Sequence, residues 1–265
     1  SINIGRLVSQ IVYYVYSYLK LVREKEIKEG ELINICVPTG NFGNILAAYI
    51  AKLMGLPVNK LLCASNDNKV LYDFFRTGLY DKNRDFILTS SPSMDILISS
   101  NLERLLYLAA DMDSGKIKEL MKGLLEKGEY SIDDKMKASL SGFVGLYASE
   151  EEQRKAIKSV YESEGYVLDT HTAVAYAAYV SYKGESNDEH KTVIASTASP
   201  YKFSQSVVFA IEGKKSGEWE SVEKLKELSR VKIPNAVEEV RNADIRHRLE
   251  CDIADMKKTV KGILV

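Results

Sequence analysis

The feature that most constrains this chain is a strand–loop–helix–strand unit at residues 32–65. Residues 32–37 (LINICV) are a short run of β-favouring apolar residues. The loop Pro38-Thr39-Gly40-Asn41-Phe42-Gly43-Asn44 follows, and residues 45–54 (ILAAYIAKLM) are mostly helix formers. Gly55 and Pro57 then stand where a helix terminates. Residues 61–65 (LLCAS) form a second apolar run. Strand, helix and strand in that order make a βαβ unit with parallel strands and a right-handed crossover. The expected class is α/β: a twisted, mostly parallel sheet flanked by helices.

The loop is also the most informative segment chemically. It joins the carboxyl end of a strand to the N-terminus of a helix. Glycines at 40 and 43 allow positive φ and close backbone approach. Free N–H groups and the positive end of the helix dipole attract an anion there. Phosphate is the expected anion, held by backbone, because no basic side chain lies in the loop. Lys and Ser/Thr do not follow the second glycine, so this is not a Walker loop, and it is not GxGxxG either. A tight turn without a ligand is the alternative. The position at a strand's carboxyl end, where α/β ligands bind, favours a ligand.

Residues 5–24 predict an amphipathic helix with Leu7, Ile11, Val15, Leu19 and Val22 on one face. Tyr13, Tyr14, Tyr16 and Tyr18 surround that face and fit either a cofactor wall or packing at a domain seam. Residues 92–109 predict a helix carrying Met94, Ile98, Leu102 and Leu105 on one side, and residues 114–127 another. Ser149 and Glu152 form a capping box before a charged helix. Residues 170–182 predict an Ala- and Tyr-rich helix suited to close packing. Residues 192–196 (TVIAS) predict a third core strand, and a helix follows over 201–211. Thr197, at that strand's carboxyl end, points its hydroxyl toward the same crevice as the glycine loop. Ser199 with Pro200 is also good capping chemistry. Ser1, Asn3 and Arg6 cluster at a helix start, where the Arg6 fork suits phosphate. A surface arginine beside a capped helix is the alternative.

Composition narrows the function. The 265 residues hold 36 Lys+Arg against 37 Asp+Glu, a net charge of −1, which argues against a nucleic-acid binder. The apolar stretch at residues 7–21 is interrupted by Ser9, Gln10, Ser17 and Lys20, short of the roughly 18 residues a membrane span needs. Three scattered cysteines, Cys36, Cys63 and Cys251, predict reduced, buried thiols. With no signal-peptide pattern at the first residues, they predict a cytoplasmic protein. His171, His190 and His247 make no HExxH, so no metal site is expected.

Several strings, in order, carry a family resemblance: SINIGRLVSQIVYYVY, VPTGNFGNILAAYIAKLMGLPV, CASNDNKVLYDFFRTGLYD, SPSMDILISSNLERLLY, DTHTAVAY and STASPYKF. Together they closely resemble the threonine synthases, from Ser1 to about residue 212. The resemblance implies the tryptophan synthase β-like fold (fold type II) and pyridoxal 5′-phosphate as cofactor. It implies conversion of O-phosphohomoserine and water to threonine and phosphate. Gly40, Asn41, Phe42, Gly43 and Asn44 look like the cradle for the cofactor phosphate, and Thr197 like the partner of the pyridine nitrogen. Ser1, Asn3 and Arg6 resemble an Asn-Ser-x-Asn-x-x-Arg segment that receives the substrate phosphate. Its leading Asn would lie one position before Ser1.

This sequence departs from the family in two places. Ser199 and Tyr201 replace the His and Ala of a Thr-Ala-His-Pro-Ala-Lys-Phe motif. The Schiff-base lysine of a Ser-Phe-Lys-Asp-type motif is not found, and Lys202 belongs to a different motif, where it reads as a structural or surface lysine. The expectation is the C-terminal part of the cofactor-binding large domain, with a helical tail over about 216–265 and no activity of its own. The alternatives are another fold type II enzyme, such as a threonine dehydratase or cysteine synthase, or a non-catalytic phosphate-ligand module. Oligomeric state is left open.

Overall fold

The computed structural model describes residues 3–264. The chain divides into two compact units, one running to Val231 and one beginning at Lys232. Helix α1 (Ile4–Arg23) leads to β1 (Ile33–Pro38), whose six residues are all buried. Such a strand has no solvent face, which is why its sequence is apolar on both sides apart from Asn34. The glycine loop carries the chain into α2 (Gly43–Leu53) and then β2 (Val58–Ser65). β1 and β2 pair in parallel, with Cys36 opposite Leu62, so the βαβ unit forms as expected.

Next come α3 (Val70–Thr77), β3 (Leu79–Asp81), α4 (Leu102–Ala109), α5 (Ser114–Glu126), β4 (Glu129–Ser131) and α6 (Asp134–Ser139). β3 and β4 form a small antiparallel pair. β5 (Phe143–Tyr147) joins β2 in parallel. α7 (Glu150–Glu164), opened by the expected capping box, and α8 (Thr170–Glu185) precede β6 (Thr192–Ile194). β6 joins β1 in parallel on its other side. Among the described residues the main sheet runs β5-β2-β1-β6, wholly parallel. α9 (Ser204–Glu212) and α10 (Glu218–Ser229) complete the larger unit.

Alternation along β1 sends Ile33, Ile35 and Val37 to a core shared with α1 and α2, and Cys36 to a second core with α8. Helices therefore cover both faces of the sheet. Ala175 and Ala178 let α8 approach closely enough for Cys36 Sγ to lie 3.5 Å from the Ala175 carbonyl. Truncating a fully buried Ile or Leu to Ala in such a core costs about 2–5 kcal/mol.

Several expectations need correcting. The buried residues of α1 are Leu7, Tyr14 and Tyr18, with Leu19 59% exposed. The expected face thus rotates onto two of the four tyrosines. Residues 92–109 are not one helix: a 3-10 turn at Pro92–Met94 breaks before α4. Asp95 explains the break, since its carboxylate accepts hydrogen bonds from Asn66, Asn68 and Thr89. Those local bonds compete with helix continuation. β6 is a half-buried edge strand of three residues rather than a core strand. Cys251 is exposed, unlike Cys36 and Cys63.

The smaller unit contains α11 (Asn235–Asn242) and α12 (Met256–Ile263), neither of which has a buried residue. Among the described residues no helix is long and apolar enough to cross a membrane.

Candidate functional site

From β1 the chain proceeds to β2 and β5 on one side, while β6 flanks β1 on the other. The strand order therefore reverses between β1 and β6, and a crevice opens beyond their carboxyl ends. This crevice has a volume of about 290 Å³ and gathers Asn3, Arg6, the loop from Gly40 to Asn44, and Thr197. The residues singled out in three separate sequence segments thus share one wall-to-wall space. Ser1 lies outside the described residues. A larger cavity of about 750 Å³ between α1, α2, α4 and α5 has a largely aliphatic floor that includes Leu46, Ile50, Ile117 and Met121.

The loop uses Gly40 for close approach and neither glycine for a left-handed turn. Neither Gly40 nor Gly43 has positive φ; the left-handed residue is Phe42, at φ 63°. Its ring is buried, with centroids 5.9 Å from both Phe75 and Phe143. Gly40 is needed for close approach, because a Cβ there would lie 2.3 Å from the Ser93 carbonyl oxygen. The loop's carbonyls are engaged elsewhere. Ser99 Oγ donates to the Gly40 carbonyl at 2.7 Å, and Asn101 Nδ2 to that of Asn41 at 2.8 Å. No side chain caps α2 and no acidic residue lies in its first turn. The first N–H groups of α2 are thus left to an external acceptor.

Two helices hold the loop from its flanks. Tyr14 of α1 donates its hydroxyl to Asn44 Oδ1 at 2.5 Å, which leaves the Asn44 amide nitrogen as a donor. Burial, with the nearby Cys36, pushes the Tyr14 phenol well above its ordinary pKa, so it remains a donor. On the other side stands the first turn of α8. Asp169 caps it, accepting from the N–H groups of His171 (2.9 Å) and Thr172 (3.1 Å). Thr172 Oγ also donates to Asp169 Oδ2. Burial opposes charge on Asp169, but bonds from His171 and Thr172 outweigh it and hold the carboxyl below its ordinary range. His171 lines the crevice, and its Nε2 accepts from the Ser93 N–H at 3.1 Å.

Charge in the crevice has one sign. Arg6 and Lys202 both line it, and among the described lining residues there is no Asp or Glu. Lys202 is exposed, its Nζ 5.3 Å from the Phe203 ring centre. Thr197 is exposed too, with its N–H donating to Thr172 Oγ1 at 3.3 Å. An uncapped helix start, two cations and the Thr197 hydroxyl suit a small polar ligand with negative charge at one or more points. Among the described residues no group of three or more His, Cys, Asp or Glu is placed to hold a metal ion. Sequence reasoning missed His171 and the Ser93 turn, and set Lys202 aside. The Asp-x-His spacing marks a helix cap at Asp169 but carries no signal for the contact of the imidazole with Ser93.

Residues 172–248 match the family model described as threonine synthase, C-terminal. Threonine synthase-like 1 of Homo sapiens is 44% identical over 223 residues, covering 83% of this chain and 30% of that protein. Threonine synthase of Saccharomyces cerevisiae is 36% identical over 278 residues, covering 97% of this chain and 53% of that protein. The chain therefore spans about a third to a half of the length of these relatives. Among solved structures, PLP-bound threonine synthase from Brucella melitensis superposes with a TM-score of 0.74 at 36% identity, over 88% of this chain and 47% of that one. The yeast threonine synthase structure gives 0.83 at 32% identity, over 100% of this chain and 53% of that one.

Proposed function

We propose, from the premise that the chain belongs to the threonine synthase family, that it carries the pyridoxal 5′-phosphate cradle of a threonine synthase and part of its substrate-phosphate site. The observation that best supports this reading is the lining of the crevice: an uncapped helix N-terminus, Arg6 and Lys202, with no carboxylate among the described lining residues. A phosphorylated cofactor acting on a phosphorylated substrate needs two anion sites, and the crevice offers both backbone and side-chain donors.

The residues fit the cofactor. The backbone from Gly40 to Asn44 would hold its phosphate, since the loop carbonyls are already bonded to residues 99 and 101. Thr197 would place a neutral hydroxyl at its pyridine nitrogen. When bound, the cofactor supplies an electron sink for the amino acid's α-carbon, and a hydroxyl partner makes that sink milder than a carboxylate would. Asn3 and Arg6, with Ser1, would receive the phosphate of O-phosphohomoserine, Arg6 by its planar fork. In the complete protein O-phosphohomoserine and water would become threonine and phosphate. The lysine that moves protons would come from outside residues 1–265, because no Ser-Phe-Lys-Asp-type motif occurs within them. The 265 residues alone are expected to show no turnover.

Arg6 separates this reading from a fold type II enzyme acting on an unphosphorylated amino acid, which needs no such group. In the complete protein, Arg6→Ala should raise KM for O-phosphohomoserine about tenfold or more, the scale of one charge-assisted bond. An unchanged KM would favour the rival. A non-catalytic phosphate module would bind inorganic phosphate without preferring pyridoxal 5′-phosphate.

A further inference from the structure

Asp169 is 2% exposed and does not line the crevice, yet two of its hydrogen-bonded neighbours bond residues that do: His171 bonds Ser93, and Thr172 bonds Thr197. One branch runs through His171. Its Nε2 accepts the Ser93 N–H at 3.1 Å, so the ring is neutral with its proton on Nδ1. Nδ1 lies 3.3 Å from Thr170 Oγ1 and 3.6 Å from Asp169 Oδ1. Ser93 in turn presses its carbonyl against Gly40, where no Cβ would fit. The second branch runs through Thr172. Its single hydroxyl proton goes to Asp169 Oδ2, so an oxygen lone pair is left for the Thr197 N–H at 3.3 Å. The carboxylate thus fixes the polarity of that hydroxyl.

We infer that Asp169 is a positioning residue that sets the distance between the glycine loop and Thr197, acting on the loop through His171 and Ser93 and on Thr197 through Thr172. The inference rests on the reading that the loop takes the cofactor phosphate and Thr197 its ring nitrogen. A rigid phosphate-bearing ring must reach both points at once, so their separation matters to it. Inorganic phosphate needs only the loop.

That difference supplies the test, made on the full-length protein with inorganic phosphate and pyridoxal 5′-phosphate as probes. Thr172→Val removes the hydroxyl with little change of shape. Asp169→Asn keeps a good helix cap but brings an amide donor that can reverse the Thr172 polarity. Both should weaken pyridoxal 5′-phosphate about tenfold, the scale of a hydrogen bond to a charged group, and leave inorganic phosphate within about twofold. Thr172→Ser should restore the cofactor's affinity. Equal weakening of both probes with a lowered unfolding midpoint, or no weakening of either, would overturn the positioning role. Wild-type protein that binds neither probe would overturn the cofactor reading and this inference together, which no variant result does alone.

Discussion

At the amino end of the sheet, Asp188 accepts from Tyr182 (2.7 Å), Asn34 (3.0 Å) and His190 (2.6 Å from Nδ1). Asn34 Oδ1, on β1, accepts from the Asn59 side chain at 3.0 Å and from the Lys60 N–H of β2 at 3.1 Å. The loop between α8 and β6 is thereby tied to two strands. At the carboxyl end the same strands open onto an uncapped helix and two cations. One end pairs its amides and carboxylate with one another, and the other holds donors in reserve. The contrast separates stability from binding within a single sheet: bonds made inside the protein hold the frame, and bonds left unmade are available to a ligand.

The largest expected effect is at the closed end. Asp188→Ala would strand the buried Asn34 amide and take the acceptor from Tyr182 and His190, and should lower stability by about 3 kcal/mol, as removal of one partner from a buried charged network does. Binding of inorganic phosphate should be unchanged. Burial opposes the Asp188 charge, but bonds from Tyr182, His190 and Asn34 outweigh it and hold the carboxyl far below its ordinary value. Its stabilisation is therefore complete above the unfolded carboxylate pKa of about 3.9 and is lost as pH falls toward the folded value. Urea unfolding between pH 7 and 3 should show wild type losing part of its advantage over Asp188→Ala as pH falls below about 4. A constant difference would break the assignment.

Next is Gly40→Ala at the open end. Its Cβ meets backbone at Ser93, so the 3-10 turn must shift. Stability should fall by about 2 kcal/mol, and phosphate affinity about tenfold or more, read by isothermal titration. Loss of stability with full phosphate affinity would show that the loop can adapt. The smallest change is Tyr14→Phe, which removes only the bond to Asn44. It should cost about 1 kcal/mol and weaken phosphate less than Gly40→Ala does. Equal effects would place Asn44 at the centre of the cradle rather than at its rim.

Those residues also show where the sequence was legible. The βαβ unit could be read because β1 is buried on both faces and α2 stops just before Gly55, so local pattern and tertiary role agree. β5 was missed because Gly145 interrupts its apolar run. The interruption has a tertiary cause: a Cβ at Gly145 would lie 2.8 Å from the Tyr72 carbonyl of α3. The helix over 92–109 failed because apolar spacing does not register a side chain such as Asp95, whose partners lie up to 29 residues away. In the site, the loop, Thr197 and Arg6 were visible through local motifs. Asp169 and His171 were not, because their importance lies in bonds to Ser93 and, through Thr172, to Thr197 that no spacing rule encodes.

Phe42 gives the loop one further property. A non-glycine residue in left-handed conformation is unfavourable in isolation, and here the packing of its ring beside Phe75 and Phe143 offsets that. The loop is therefore shaped when the core forms, before any ligand arrives, and a phosphate need not order it. Capture and release should each be single rigid-body steps, with little affinity lost to rearrangement. Changes at Phe143, on β5 and remote from the crevice, should then be felt as changes in ligand residence time.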